Sequence, residues 1–156
     1  QLIEQVAGRA GRADKPGRVL IQTHHPDHPL LQLLAHRGYA GFAAAALAER
    51  EAAGLPPFGH QVLIRAEAAR PELPAAFLGA LAELIRGEAP AGVEAFGPVP
   101  APMERRAGRH RAHLLLQSRE RGPLHGRLEA WVSGAAAMPE AGRVRWSVDV
   151  DPQDTL

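Results

Sequence analysis

Two rhythms of apolar and polar positions organise the second half of the chain. From about Gln61 to Glu67, Val62, Ile64 and Ala66 alternate with Leu63, Arg65 and Glu67, the two-residue period of a strand. From about Glu72 to Arg86 the period lengthens. Leu73, Phe77, Leu81 and Leu84 recur at helical spacing and Gly87 supplies a stop, which predicts an amphipathic helix whose apolar stripe faces a sheet. Short strands are predicted over Val93–Phe96 and Ala112–Gln117, joined by a glycine- and arginine-rich loop. Leu124, Leu128, Trp131, Val132 and Ala135 then fall on one side of a second helix, which Pro139 ends. The last alternation is the clearest: Val144, Trp146, Val148 and Val150 against Arg143, Arg145, Ser147 and Asp149 predicts a strand with one buried face.

The first half is punctuated differently. Leu2 to Gly8 suits a helix, Lys15-Pro16-Gly17 a turn, and Val19-Leu20-Ile21 a short buried strand. Leu30–His36 reads as a short helix stopped by Gly38, and Tyr39–Ala53 as a longer one stopped by Gly54. Pro56-Pro57 follows, and neither proline can continue a helix, so the chain is divided into residues 1–55 and 56–156. Beyond the proline pair the order is β-α-β-β-α-β. That is the ferredoxin-like arrangement, in which two right-handed crossovers interleave into one antiparallel sheet with both helices on the same face. Such a fold carries many activities, so function has to be read from sites.

Composition narrows the class. With 156 residues, 46% hydrophobic and 22% charged, the chain has the make-up of a folded protein with a core. No cysteine is present, which excludes a disulfide framework, a thiolate zinc site and a cysteine nucleophile within these residues. The longest uncharged apolar run, Phe42 to Ala48, is far below the roughly 18 residues of a membrane-spanning helix. Nothing resembles an export signal, and a cytoplasmic location is expected. The chain starts at Gln1, inside what reads as a helix, and is expected to be a C-terminal piece of a longer protein. Its net charge of +1 conceals an uneven distribution. Arg105, Arg106, Arg109, Arg111, Arg119, Arg121 and Arg127 face only Glu104 and Glu120 between residues 103 and 127, whereas residues 128–156 are net acidic.

The strongest local signal is Gln5-Val6-Ala7-Gly8-Arg9-Ala10-Gly11-Arg12, which fits Gln-x-x-Gly-Arg-x-Gly-Arg. Two guanidiniums three residues apart, at a helix end loosened by glycines, can reach together to the phosphates of a nucleotide held by a neighbouring lobe. Arginines near a helix C-terminus also complement its dipole, and that plainer reading stands beside the first. The eight residues resemble motif VI of the superfamily 2 helicases. Together with KPGRVLIQTHHPDHPLL (15–31), GYAGFAAAALAER (38–50), LPPFGHQVLIRAE (55–67), GPVPAP (97–102) and RVRWSVDVDP (143–152), they resemble the C-terminal end of the primosomal protein N′ (PriA) family of replication-restart helicases.

That resemblance implies that residues 1–55 are the end of a RecA-like helicase lobe and 56–156 a C-terminal DNA- and partner-binding domain. The whole would be an ATP-dependent 3′ to 5′ DNA helicase that recognises stalled forks and restarts replication by primosome assembly. It would act in the bacterial cytoplasm, at the nucleoid, on forked, single-stranded and duplex DNA, with single-stranded-DNA-binding protein, other primosome proteins and the upstream helicase lobes as partners. Gln5, Arg9 and Arg12 would be catalytic, and Gly8, Arg9 and Arg12 would contact nucleotide. No Gly-x-x-x-x-Gly-Lys-Ser/Thr loop and no acidic magnesium motif occurs in the chain. ATP and magnesium would therefore be held upstream, as would zinc on upstream cysteines, and the chain alone is expected to be inactive.

Other candidates lie further on. Arg105, Arg106, Arg109 and Arg111 cluster at the hairpin, as DNA-phosphate contacts or as a solvated loop. Arg121 and His125, at the start of the second helix and on one face, are candidates for the acidic tail of single-stranded-DNA-binding protein. Surface pairing of Arg121 with Glu120 or Glu129 is the alternative. His24, His25, Asp27 and His28 are interrupted by Pro26 and Pro29, so no metal site is expected there. Asp149 and Asp151 are expected to share one strand face and meet water. Trp131 and Trp146 are expected in the core. The competing function is a stand-alone ferredoxin-like nucleic-acid-binding or protein-interaction module without ATPase activity. An RNA-recognition domain would carry an aromatic cluster on its open sheet face, and the sequence offers none.

Overall fold

The structure is a computed structural model that describes residues 19–152. The helix expected over Leu2–Gly8 and the motif at 5–12 lie outside the described residues. The chain divides into two compact units, Gln1–Arg50 and Glu51–Leu156.

In the first unit Val19–Ile21 is not a strand, and Leu20 is 89% exposed. An apolar triplet becomes a strand only beside a neighbour that takes up its backbone hydrogen bonds. The described part of this unit offers no such neighbour. Helix α1 (Pro29–Ala52) consists of two helical runs meeting at Gly38, whose φ of 65° is open to glycine at no steric cost. The sequence placed two helices on either side of this residue. Pro29 occupies the first helical position, where its missing N–H is no loss. His28 caps the helix: its Nδ1 accepts from the Leu30 N–H at 3.3 Å, and its carbonyl accepts from the Leu31 N–H at 2.9 Å. The histidine-rich run thus builds a turn and a helix start, and none of its members belongs to a three-ligand cluster among the described residues.

The second unit follows the expected order. Strand β1 (His60–Ala68), helix α2 (Glu72–Glu88), strands β2 (Val93–Arg106) and β3 (Arg109–Ser118), helix α3 (Arg121–Ala137), a short 3₁₀ turn (Ala141–Arg143) and strand β4 (Arg145–Val150) succeed one another. The four strands form an antiparallel sheet in the order β2-β3-β1-β4, the ferredoxin-like topology. Gly59 marks the entry to β1, where a Cβ would stand 2.0 Å from the Gly54 carbonyl oxygen, so only glycine allows this approach of backbone to backbone.

Alternation assigns the faces. Val62, Ile64 and Ala66 of β1 and Ala112, Leu114 and Leu116 of β3 meet Phe77, Leu78, Leu81 and Ile85 of α2 and Leu124, Trp131 and Ala135 of α3 in one core. Trp146 and Val148 of β4 pack against it, with the Trp146 ring 5.7 Å from that of Phe77. Both tryptophans therefore serve the core, as expected. Arg127 Nη2 donates to Glu88 Oε2 at 2.7 Å, joining α3 to α2. Arg86 Nη2 donates to the Gly97 carbonyl at 2.8 Å, joining α2 to β2.

The hairpin differs from the sequence reading. Strand β2 continues past Phe96 to Arg106, and β3 begins at Arg109 instead of Ala112. Pro98, Pro100 and Pro102 argue against a strand where every N–H must pair, but β2 is an edge strand, on which a missing donor is tolerated. The register shifts between Phe96 and Val99 and between Pro100 and Arg105 absorb the irregularity. The connection is only Ala107-Gly108, both with positive φ (49° and 78°), as tight two-residue hairpin turns require.

Phe77 is fully buried at the junction of α2 with β4. Phe77→Ala is expected to lower unfolding free energy by about 3–5 kcal/mol in urea titrations, through lost transfer energy and a residual cavity. A loss under about 1 kcal/mol would contradict this core.

Candidate nucleic-acid interface

The positions that alternate with the core form the sheet's second face, which carries neither α2 nor α3. Arg65 and Glu67 of β1, Arg109, Arg111 and His113 of β3, and Arg145 and Asp149 of β4 belong to it by register. Arg65 stands opposite His113 and Ser147, and Glu67 opposite Arg111 and Arg145. Arg65 Nη1 donates to Asp149 Oδ2 at 2.8 Å. Glu67 is approached by Arg145 at 3.6 Å and by Arg109 at 4.0 Å.

A concavity of about 270 Å³ is lined by Glu67, Arg106, Ala107, Arg109, Arg111 and Arg145. A neighbouring one of about 330 Å³ shares Glu67, Arg111 and Arg145 and extends to Arg65 and Ser147. Four arginines line the concavity with one carboxylate; Arg111 Nη1 donates to the Met103 carbonyl at 3.4 Å, and only Arg109 and Arg145 approach Glu67, so donors exceed acceptors. Arg109 and Arg145 retain 48% and 78% of their side-chain exposure, so those donors are open to an anion from solvent. The chemistry fits successive phosphates better than a single metal or a neutral ligand.

The four hairpin arginines singled out from the sequence are not one cluster. Arg106, Arg109 and Arg111 line the concavity, whereas Arg105 pairs with His110, one position out of step with the Arg106–Arg109 pair. They also sit on paired strand around a two-residue turn, not on a flexible loop. Register adds Arg145 and Arg65, which the run of charge in the sequence does not single out. The alternation of the last strand displayed Arg145, but only the β1–β4 ladder brings it to the hairpin. Among the described strands Phe96 is the one Phe, Tyr or Trp assigned to this face, through its pairing with Leu115, which leaves no stacking platform of the RNA-recognition kind.

The arginines around α3 serve different purposes. Arg127 is held by Glu88. Arg119 lies over Gly54 and, with Gly92, Glu94, Gln117, Glu120 and Pro123, lines a hollow of about 530 Å³. Arg121, the first residue of α3, is exposed. His125, one turn on, is half-buried, and its ring stands edge-on to that of His60 with centroids 6.1 Å apart. Leu124 belongs entirely to the core. Asp149 and Asp151 do not form a pair: the first meets Arg65, and the second turns toward His60, with 3.9 Å between Oδ1 and Nδ1. Gln5, Gly8, Arg9 and Arg12 lie outside the described residues. No helix among the described residues is long and apolar enough to cross a membrane.

A four-stranded ferredoxin-like domain with an arginine-lined second face, preceded by a separate helical unit, defines the architecture. Residues 51–153 match the family described as the primosomal protein N C-terminal domain, and the chain belongs to that family. A replication restart protein PriA of Haemophilus influenzae is 45% identical over 154 residues, which cover 99% of this chain and 21% of that protein. The Synechocystis protein of the same name is 39% identical across 75% of the chain, and the Bacillus subtilis one 28% identical across 97%. The chain spans about a fifth of the length of the first of these relatives.

His113 supplies a pH dependence. It is buried between Arg65 and Val99 on the ladder, its Nε2 has no hydrogen-bond partner, and its pKa is lowered by burial first and by the charges of Arg65 and Arg111 second. The unfolded chain takes up this proton near 6.5 while the folded chain resists it, so stability falls as pH drops below about 6.5 and is insensitive to this group above it. His113→Gln should therefore narrow the difference in unfolding free energy between about pH 7.5 and about pH 5. An equal difference in variant and parent would show that His113 is not held neutral.

Proposed function

We propose that the chain is the C-terminal part of an ATP-dependent 3′ to 5′ DNA helicase that recognises stalled forks and restarts replication through primosome assembly, and that its sheet face contacts the DNA backbone. The observation that carries the DNA contact is the gathering of Arg106, Arg109, Arg111 and Arg145 around one concavity whose single carboxylate, Glu67, is approached by Arg109 and Arg145. Membership of the primosomal family and the names of the relatives support the role in replication restart. Phosphate contacts of this kind position a protein on DNA without reading sequence, which suits a fork-binding activity that must work wherever replication stops.

In this reading Arg9 and Arg12 reach the terminal phosphate of ATP bound by the upstream lobes, with Gln5 and Gly8 completing the motif. Magnesium belongs to that upstream site, and zinc to upstream cysteines. The acidic tail of single-stranded-DNA-binding protein docks at the exposed Arg121, beside the N–H groups of the first turn of α3.

Each contact has its own expected outcome in the full-length protein. If the arginines of the sheet face meet phosphates, log K for duplex DNA falls against log salt with a slope of about −3 to −4. Replacing Arg106, Arg109, Arg111 and Arg145 by Ala should flatten that slope, while Arg105→Ala should change it by about one or less. An unchanged slope in the quadruple variant would remove the interface. Arg9→Ala or Arg12→Ala should leave ATP binding largely intact and slow hydrolysis by about 10³-fold. Arg121→Glu should abolish binding of the tail peptide and leave duplex affinity intact; equal peptide affinity in variant and parent would exclude that docking point.

A further inference from the structure

We propose that His60, His125 and Asp151 form a binding site for a divalent transition metal of the zinc class, at the end of the sheet opposite the hairpin tip. Each offers one donor atom, and the three donors lie within 4.8 Å of one another. The residues come from three elements. His60 opens β1 on the helix-facing side of the strand, in step with Val62 and Ile64. His125 lies in the first turns of α3, and Asp151 directly follows β4.

Two features are not accounted for by packing. The Nε2 atom of His125 is buried without a hydrogen-bond partner, a costly arrangement for an imidazole unless a ligand completes it. Asp151 adopts a left-handed backbone, φ 50°, which a non-glycine residue takes up at some cost. That conformation breaks the strand's alternation. Asp149 stays with Arg65 on the second face, whereas the Asp151 carboxylate reaches His60.

Asp151 is held in place by its own N–H, which donates to the Gln61 carbonyl at 2.8 Å, and by the Gln61 N–H, which donates to Oδ1 at 3.4 Å. Such backbone support is what orients a metal-binding carboxylate. His60 Nδ1 and Asp151 Oδ1 are 3.9 Å apart, too far for a hydrogen bond. Donors bonded at about 2.0–2.2 Å to one tetrahedral ion stand roughly 3.3–3.6 Å apart, so closure requires a movement of about 1 Å. The Asp151 side chain is half exposed, and its Oδ1 is held only by the long 3.4 Å bond from the Gln61 N–H, which leaves room for that movement.

Two imidazoles and one carboxylate suit zinc and its neighbours better than calcium or magnesium, which prefer all-oxygen shells. Three protein donors leave a fourth position for water. The chain has no cysteine, so this site is independent of any thiolate zinc site elsewhere in a longer protein. The metal would pin the start of α3 to the start of β1 and the end of β4.

The test uses the untagged 156-residue chain, stripped with chelator and titrated with Zn²⁺. One ion should bind saturably, and Zn²⁺ at about a hundred times the dissociation constant should raise the thermal midpoint by about 10 °C. His60→Asn, His125→Gln and Asp151→Asn should each weaken binding at least about tenfold, while the double variant His24→Asn, His28→Asn keeps it. A readout independent of the variants' folding is the parent's imidazole NMR spectrum, in which the signals of His60 and His125 should move on Zn²⁺ addition and broaden with Co²⁺. No saturable binding, unmoved His60 and His125 signals, or loss of binding only in the His24/His28 double variant would each overturn the proposal.

Discussion

The two ladders of β1 are the constraint on which the second unit depends. A strand hydrogen-bonded on both sides cannot slip by one residue without exchanging its faces. Once Val62, Ile64 and Ala66 are committed to α2 and α3, Arg65 and Glu67 are committed to the other face. The same register fixes their neighbours, since β3 brings His113 and Arg111 to one side of β1 while β4 brings Ser147 and Arg145 to the other. The charged face is thus a consequence of the core. The energy that holds an arginine array together against its own repulsion comes from the apolar residues behind it, with Glu67 and Asp149 moderating the field locally.

Much of this architecture was legible because periodicity reports burial directly. The order of elements after Pro56-Pro57, the stop at Gly38 and the core roles of both tryptophans follow from spacing alone. Two misreadings have one physical origin, namely that a strand's existence depends on its neighbours. Val19–Ile21 has strand-forming residues and no partner in the described part of its unit, whereas Pro98 to Pro102 has strand-breaking residues and an edge position that tolerates them. Composition cannot separate these cases, since what decides them is the presence or absence of a ladder.

The candidate sites divide along the same line. The hairpin arginines could be found as a run of charge, but not the separation of Arg105 from Arg106, Arg109 and Arg111, which needs the pairing across Ala107-Gly108. Arg145 and Glu67 enter only through register. The His60, His125 and Asp151 group is scattered through the sequence, and Asp151 even has the wrong parity. Its positive φ, invisible in the alternation, is what turns the carboxylate toward His60.

His113 shows why such a face must also be insulated. A protonated imidazole near Arg65 and Arg111 would add a third positive charge on a ring already partly withdrawn from solvent. Burial and the two guanidiniums both favour the neutral ring, so the ladder keeps a small, uncharged group among the arginines of this face. A phosphate bound close by would oppose the second of those effects and leave the first. Proton uptake on binding would accordingly be partial, set by how far the anion's field reaches a ring that stays buried.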